Sequence, residues 1–300
     1  MDKDQLKSLL SRFHIRPNKL LGQNFLLSEE VLDKIVEAGE LESKDVVLEI
    51  GPGLGILTMR LAEEAAQVLA VEKDEKIYQA LRKILKRYKN VKLIHKDALF
   101  FDIKKLIVPE LVEGQPFDSP PAAGHSGNNT SYKVVANIPY YLTGKIIQNF
   151  LTAQSKPKLM VLLLQKEVAE RLTARPGEMS LLSVSAQFYS DPEIISIVGK
   201  GNFYPEPLVD SAIVRLKVLP KPRFGVDEKK FFQFVKIGFA GRRKQLHNNL
   251  TSGLGAGDYK KILENSGLNP LARAQDLSMA DWFKLYSALF SDIPARFANS

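Results

Sequence analysis

The sequence predicts an α/β protein: an open, mostly parallel β-sheet interleaved with helices, followed by a small all-helical domain. Three observations carry this reading. Short β-branched runs recur with helix-patterned stretches between them, the alternation that builds parallel sheets. Most of these runs are apolar throughout, as strands covered on both faces are. Beyond Pro220-Lys-Pro222 the strand signal stops and only helical patterns remain.

Taken in order, strands are expected at residues 46–50, 68–72, 91–95, 134–137 and 159–165, with helices at 56–64 and 76–88. Two later strands are expected at 193–198 and 212–218. In the second of these Arg215 and Lys217 alternate with apolar residues, which predicts the more exposed strand. Helical patterns follow at 231–240, 243–251, 259–266 and 279–290, the last carrying Trp282 as a core residue. The expected domains are residues 1–220 and 221–300, divided near Lys221. Residues 113–131 contain no Leu, Ile or Val and a single Phe, so they read as a flexible surface insertion that cannot bury enough surface to order itself.

Composition narrows the function. The chain has 300 residues, 45% of them hydrophobic, enough for a full core and against wholesale disorder. It has no cysteine, which removes disulfides, cysteine-ligated zinc, iron–sulfur clusters and a thiol nucleophile. No apolar run has the length of a membrane span, and the first residues alternate charges with leucines where a signal peptide has an apolar core, so a cytoplasmic protein without a membrane partner is expected. Lys and Arg number 42 against 34 Asp and Glu, a net +8 that fits a polyanionic partner, most simply nucleic acid, and equally a basic surface kept for solubility. His14, His95, His125 and His247 lack metal-ligand spacing, and no metal is assigned.

The first informative motif is Val46-Val-Leu-Glu-Ile-Gly-Pro-Gly-Leu-Gly55, a strand running into a glycine-rich turn that opens a helix. Gly51 and Gly53 let the backbone turn tightly and approach a ligand, and Gly55 lets the helix start pack closely. A dinucleotide fingerprint places its third glycine one residue later, where Ile56 stands. The spacing, with Glu49 two residues ahead, is similar to the S-adenosylmethionine loop of class I methyltransferases, whose fold is Rossmann-like. Glu72 ends the next strand, 21 residues after Gly51, where an acid can accept both ribose hydroxyls. Asp97 follows the third strand, where its carboxylate can accept from an adenine amino group. Acids also commonly cap helices after strands; the order and spacing of all three features at one sheet end favour the ligand site.

The second motif, Val134-Val-Ala-Asn-Ile-Pro-Tyr-Tyr141, contains Asn137-Ile-Pro-Tyr140, which resembles the Asn/Asp-Pro-Pro-Tyr motif of enzymes that methylate exocyclic amines of bases. Adenine N6 is a poor nucleophile because its lone pair is delocalised into the ring. If the Asn137 side-chain oxygen and the Ile138 carbonyl both accept from its N–H groups, the nitrogen is biased toward a tetrahedral shape. Pro139 stiffens the backbone, and Tyr140 offers a face for a flipped base, worth ~1–3 kcal/mol. The alternative is a strand-end turn with a core tyrosine.

Leu21-Gly-Gln-Asn-Phe-Leu26, Glu49-Ile-Gly-Pro-Gly-Leu-Gly55, Asn137-Ile-Pro-Tyr140 and Phe203-Tyr-Pro-Glu-Pro-Leu-Val-Asp-Ser211 occur in the order of the ribosomal RNA adenine N6-dimethyltransferase family, and the resemblance spans nearly the whole chain. It implies a cofactor site for S-adenosylmethionine from Asn24, Leu26, Gly51, Glu72, Asp97 and Asn137, with Phe25 and Leu26 closing over the methionine end. It implies that Phe203 helps hold the target adenine opposite Tyr140. Phe239-Ala-Gly-Arg-Arg-Lys-Gln-Leu-His-Asn-Asn-Leu250 and Leu268-Asn-Pro-Leu-Ala-Arg-Ala-Gln-Asp-Leu277 resemble the tail of the bacterial small-subunit branch. That branch implies dimethylation of two adjacent adenines in a 3′-terminal hairpin loop of 16S ribosomal RNA, within the 30S subunit during assembly, by a monomeric enzyme. Three alternatives stand beside it: the 23S-methylating antibiotic-resistance branch, a non-catalytic RNA-binding assembly factor on the same scaffold, and a small-molecule amine methyltransferase. The second predicts decay of Glu72, Asp97 or Asn137, all of which are intact; the third needs neither Arg242-Arg-Lys244 nor the tail. Residues 221–263 hold ten Lys or Arg and three acids, densest at Arg242, Arg243 and Lys244, read as RNA-phosphate contacts. Residues 73–96 hold nine bases and two acids, read as a solvated helix face.

Overall fold

In the computed structural model the described residues are 2–18, 22–100 and 131–290. The expected insertion at 113–131 lies outside them apart from Ser131, as does Leu21 of the first family motif. The chain divides into two compact units, Met1–Lys166 with Ile195–Val218, and Glu167–Ile194 with Leu219–Ser300. The chain's final crossing between units falls close to the expected boundary at Lys221, but residues 167–194, assigned from sequence to the first domain, cluster with the second unit.

The strands, numbered along the chain, are β1 (Phe25–Leu26), β2 (Val46–Ile50), β3 (Gln67–Glu72), β4 (Val91–His95), β5 (Tyr132–Asn137), β6 (Leu159–Gln165), β7 (Ser190–Val198), β8 (Phe203–Tyr204) and β9 (Ser211–Val218). Seven of them form one sheet in the order β4-β3-β2-β5-β6-β9-β7. The pairs from β4 through β6 are all parallel, and β9 runs antiparallel to β6. The order reverses direction between β2 and β5. That reversal opens a crevice beyond the carboxyl ends of those two strands, the place where open α/β sheets bind ligands.

The expected exposure of the last two strands is inverted. β9 sits inside the sheet and is mostly buried, whereas β7 is the edge strand and alternates with solvent. Arg215 tolerates its place on β9 because its guanidinium donates to Glu40 Oε1 at 2.7 Å, and such pairing is what permits a charge on a buried strand.

Among its described residues the first unit holds two apolar clusters. In one, helices Glu29–Ala38 and Ile56–Glu64 pack on Val47, Val68, Val135 and Val161. In the other, Leu6 and Leu10 of helix Lys3–Arg12 meet Ile77 and Leu81 of helix Glu75–Ile84, together with Phe25 and Leu54. The second unit is helical and aromatic. Phe188 stacks on Phe231 at 5.1 Å, Phe224 on Phe283 at 4.3 Å, and Phe234 meets Trp282 edge-on at 5.6 Å. Trp282 is fully buried, as expected, and a Cβ at Gly238 would come within 2.3 Å of its ring, so only glycine fits there.

Candidate active site

A cavity of about 330 Å³ occupies the crevice at the β2/β5 reversal. That is at the lower end of the ~300–1,000 Å³ typical of small-ligand sites. Asn24, Leu26, Gly51, Glu72, Asp97 and Asn137, the residues expected to bind the cofactor, all line it. Parallel register explains the convergence: Ile50 pairs with Val71 and Glu72 with His95, so successive strands end level and deliver their next residues to one rim.

The glycine loop is shaped by backbone conformation. Gly51 and Gly53 adopt φ of 65° and 58°, values that L side chains rarely take, and a Cβ on Gly53 would press on the Phe25 ring at 3.3 Å. Gly55 starts helix Ile56–Glu64 without a side-chain cap.

Glu72 is only 7% exposed. Its Oε1 accepts from the backbone N–H groups of Lys73 and Asp74, both at 2.7 Å, which fixes the carboxylate at the cavity wall. Burial pushes its pKa up to about 7, with the two N–H bonds opposing. Asp97 behaves oppositely. Its partial burial raises the pKa, but the Lys73 ammonium at 2.8 Å and the Leu99 N–H at 2.9 Å outweigh this and hold it below the usual carboxylate range. Each Asp97 oxygen keeps a further lone pair for a ligand donor.

Two groups here were not found from sequence. Lys73 sits at the rim as the partner of Asp97; its position one residue after Glu72 was visible, but the pairing depends on β3 and β4 lying side by side. Glu49 is 1% exposed, lines the cavity, and its Oε2 has no hydrogen-bond partner. Burial pushes its pKa up to about 8; the nearby Thr58 hydroxyl offsets part of this although it falls short of a formed hydrogen bond, and Glu72 adds to the rise. The motif reading noted Glu49 but gave it no role.

At the end of β5, the Asn137 amide nitrogen donates to the Asn24 carbonyl at 3.2 Å. That commits the nitrogen and leaves the side-chain oxygen as the acceptor available to a bound amine. Ile138 is buried, its N–H donates to the Leu163 carbonyl, and among the described residues no backbone N–H donates to its own carbonyl. Pro139 lines the cavity and its carbonyl accepts from Leu142 N–H in a tight turn. Tyr140 is half-buried and its hydroxyl hydrogen-bonds Ser211 Oγ at 2.8 Å; burial pushes its pKa up, with the Ser211 bond opposing.

Of the residues expected at the reaction centre, Ile138, Tyr140 and Phe203 are not among those lining the cavity. Phe203 is 4% exposed and belongs to the apolar cluster with Leu26, Val135 and Val161. β8 pairs antiparallel with β1, setting Leu26 against Phe203 and Phe25 against Tyr204. The structure therefore brings Asn137, Pro139 and the cofactor set together on the cavity wall, with Phe203 in the β1–β8 ribbon paired to Leu26 of that wall. In the helical unit, Arg242, Arg243 and Lys244 are exposed on a turn ahead of helix Leu246–Leu254, outside the helix expected from residue 243. Buried Asn249 pins that turn by donating to the Gly238 and Gly241 carbonyls at 2.6 and 3.1 Å.

The sequence model of the family described as ribosomal RNA adenine dimethylase matches residues 15–290. The chain is 42% identical over 285 residues to the ribosomal RNA small subunit methyltransferase A of Dehalococcoides mccartyi, covering 94% of this chain and 91% of that protein. Among solved structures it resembles a dimethyladenosine transferase from Plasmodium falciparum (TM-score 0.70, 25% identity, 87% of this chain and 95% of that one). It also resembles the 23S rRNA methyltransferase ErmE (TM-score 0.69, 26% identity, 89% of this chain and 99% of that one). The sheet is thus that of the S-adenosylmethionine-dependent methyltransferases, and the chain belongs to the ribosomal RNA adenine dimethylase family as a methyltransferase.

Proposed function

We propose that this protein dimethylates N6 of two adjacent adenines in a 3′-terminal hairpin loop of 16S ribosomal RNA, acting as a monomer on the assembling 30S subunit in the cytoplasm. The observation that carries the chemistry is Asn137: its amide nitrogen is bound to Asn24, its oxygen is left to accept, and it stands on the wall that also holds Glu72 and Asp97. The small-subunit assignment is supported by the 42% identity to a ribosomal RNA small subunit methyltransferase over 94% of this chain.

The residues present fit S-adenosylmethionine. Glu72 would accept the ribose hydroxyls, Asp97 the adenine amino group, and the unpartnered Glu49 oxygen offers an acceptor for an ammonium donor. When bound, this donor supplies a methyl group on an electrophilic sulfonium. Asn137 Oδ1 and the Ile138 carbonyl accept the two N–H bonds of the target amine and turn its lone pair out of the ring. Tyr140, anchored by Ser211, presents a ring on which the extruded base stacks. No strong base is required, because the alkylated nitrogen is acidic and loses its proton to water. Catalysis is positioning and electrostatics. Arg242, Arg243 and Lys244 hold RNA phosphates.

Labelled methyl transfer to unmethylated small subunits, large subunits and free RNA, followed by nucleoside analysis, tests this. Label in N6,N6-dimethyladenosine from small subunits is expected; label confined to large-subunit RNA, or none in adenine, overturns it.

A further inference from the structure

We propose a second RNA-contacting surface, a basic face built by the N-terminal helix and helix Glu75–Ile84, that grips RNA phosphates along the flank of the sheet. It rests on the reading of the substrate as ribosomal RNA. Leu6, Leu10 and Ile15 pack on Ile77, Leu81 and Leu85, which brings two stretches distant in sequence onto one surface. The Arg12 guanidinium and Lys83 Nζ both lie against the Phe13 ring, at 5.7 and 5.9 Å, so cations of the two segments are neighbours. Every Lys and Arg between residues 73 and 96 is exposed, and so are Lys3, Lys7, Arg12 and Arg16.

The charge on this face is not balanced by acids. Elsewhere in the unit, Lys34 pairs with Glu30, Arg60 with Asp33 and Arg215 with Glu40. Here the ion pairs among the described residues are Lys7–Asp4, Lys73–Asp97 and His95–Glu75, and Arg82, Lys83, Lys86, Arg87, Lys89 and Lys92 take part in none. A face kept for solubility mixes signs. Arg82 and Lys83 complement the dipole at their helix end, but that field fades within a turn and does not account for Lys86 to Lys92. The run begins at Lys73 and ends at Lys96, both on the cavity wall, and the helix between them carries Arg82 to Lys89 back toward the opposite ends of the strands, so the face runs from the rim of the site down the flank of the sheet. A lipid surface fits less well, because none of the exposed large apolar side chains falls on these segments.

The test compares two triple charge reversals of equal net change: Arg82→Glu with Lys86→Glu and Lys89→Glu on the face, and Lys34→Glu with Lys44→Glu and Lys158→Glu off it. Binding of each to an unmethylated small-subunit RNA transcript is measured from about 50 to 200 mM salt, with donor affinity and thermal melting alongside. The face triple should lose at least about tenfold in affinity and flatten the log–log salt slope by about 2–3, near 0.7–0.9 per lost phosphate contact. The control should change the slope by less than about 1, and donor affinity should hold in both. Equal losses in the two triples, or an unchanged slope in the face triple, overturn the proposal. If the face triple fails to fold, Lys86→Glu and Lys89→Glu singly should each remove about one slope step, and no step overturns it as well. A wild-type protein that binds this RNA with the steep slope yet never methylates it would count against the proposed function instead.

Discussion

Replacing Glu72 by Gln should move stability and ligand affinity in opposite directions. In the folded protein the carboxyl pKa stands near 7 against 4.5 unperturbed, about 2.5 units, or on the order of 3 kcal/mol at 1.36 kcal/mol per unit. The folded-state value is the higher one, so between about pH 4.5 and 7 the native state binds more protons than the unfolded chain, and stability falls as pH rises through that window. Gln cannot ionise. The unliganded variant should therefore match the wild type near pH 4 and exceed it by up to ~3 kcal/mol at pH 8, a rise in Tm of several degrees at ~2–4 °C per kcal/mol. Gln keeps an acceptor for the Lys73 and Asp74 N–H groups but loses the charge that would receive the ribose. Charged hydrogen bonds contribute ~1.5–3 kcal/mol each, so donor affinity should fall about 10- to 100-fold. Calorimetric titration of S-adenosylmethionine from about pH 5.5 to 8.5 should show wild-type affinity climbing to about pH 7, and the variant should lose that rise. Asp97, held below the usual carboxylate range, stays ionised across these pH values, and Glu49, pushed up to about 8, also titrates at the cavity. A variant within twofold of wild type in affinity, or an unchanged profile through pH 7, refutes the assignment.

Asn137→Ala should lower turnover by at least ~100-fold with donor still bound, read by single-turnover methyl transfer beside calorimetry. Tyr140→Phe keeps the ring and loses only the Ser211 bond, so it should retain most activity, whereas Tyr140→Ala should lose about 10- to 100-fold in kcat/KM, from ~1–3 kcal/mol of stacking. Reversing Arg242 and Arg243 to Glu should weaken small-subunit binding and shrink its salt slope by about 1–2 without changing donor affinity. Gly238→Ala forces a methyl group onto Trp282 and should destabilise the helical unit by ~1–3 kcal/mol, visible as a lower melting temperature.

Strand β6 lies where its unbroken apolar run puts it, because a strand buried on both faces writes its limits in hydrophobicity; β2 and β4 also keep their expected bounds, although β2 carries Glu49 and the edge strand β4 exposes Lys92 and His95. Helix Glu75–Ile84 ends before the expected residue 88, since Leu85 and Tyr88 continue the apolar pattern from a turn and still reach the core. The β1–β8 ribbon was invisible: two residues carry no periodicity, and their pairing joins positions far apart in sequence. Residues 167–194 misled for a related reason, because a chain that leaves one unit and returns shows no compositional break at the crossing. The cavity-lining residues were legible because glycine spacing and strand-end acids are local signals. Glu49 and the Lys73–Asp97 pair were not, because burial and cross-strand partnership exist only after the sheet forms.

The two-residue ribbon carries a mechanical consequence. Phe25 and Leu26 wall the donor cavity on one side and are stitched to Tyr204 and Phe203 on the other, only a few residues upstream of the Ser211 hydroxyl that steadies Tyr140. The backbone bonds of that ribbon thus tie the cavity wall to the segment that leads into Ser211 and its bond to Tyr140, so the two stretches share one mechanical support.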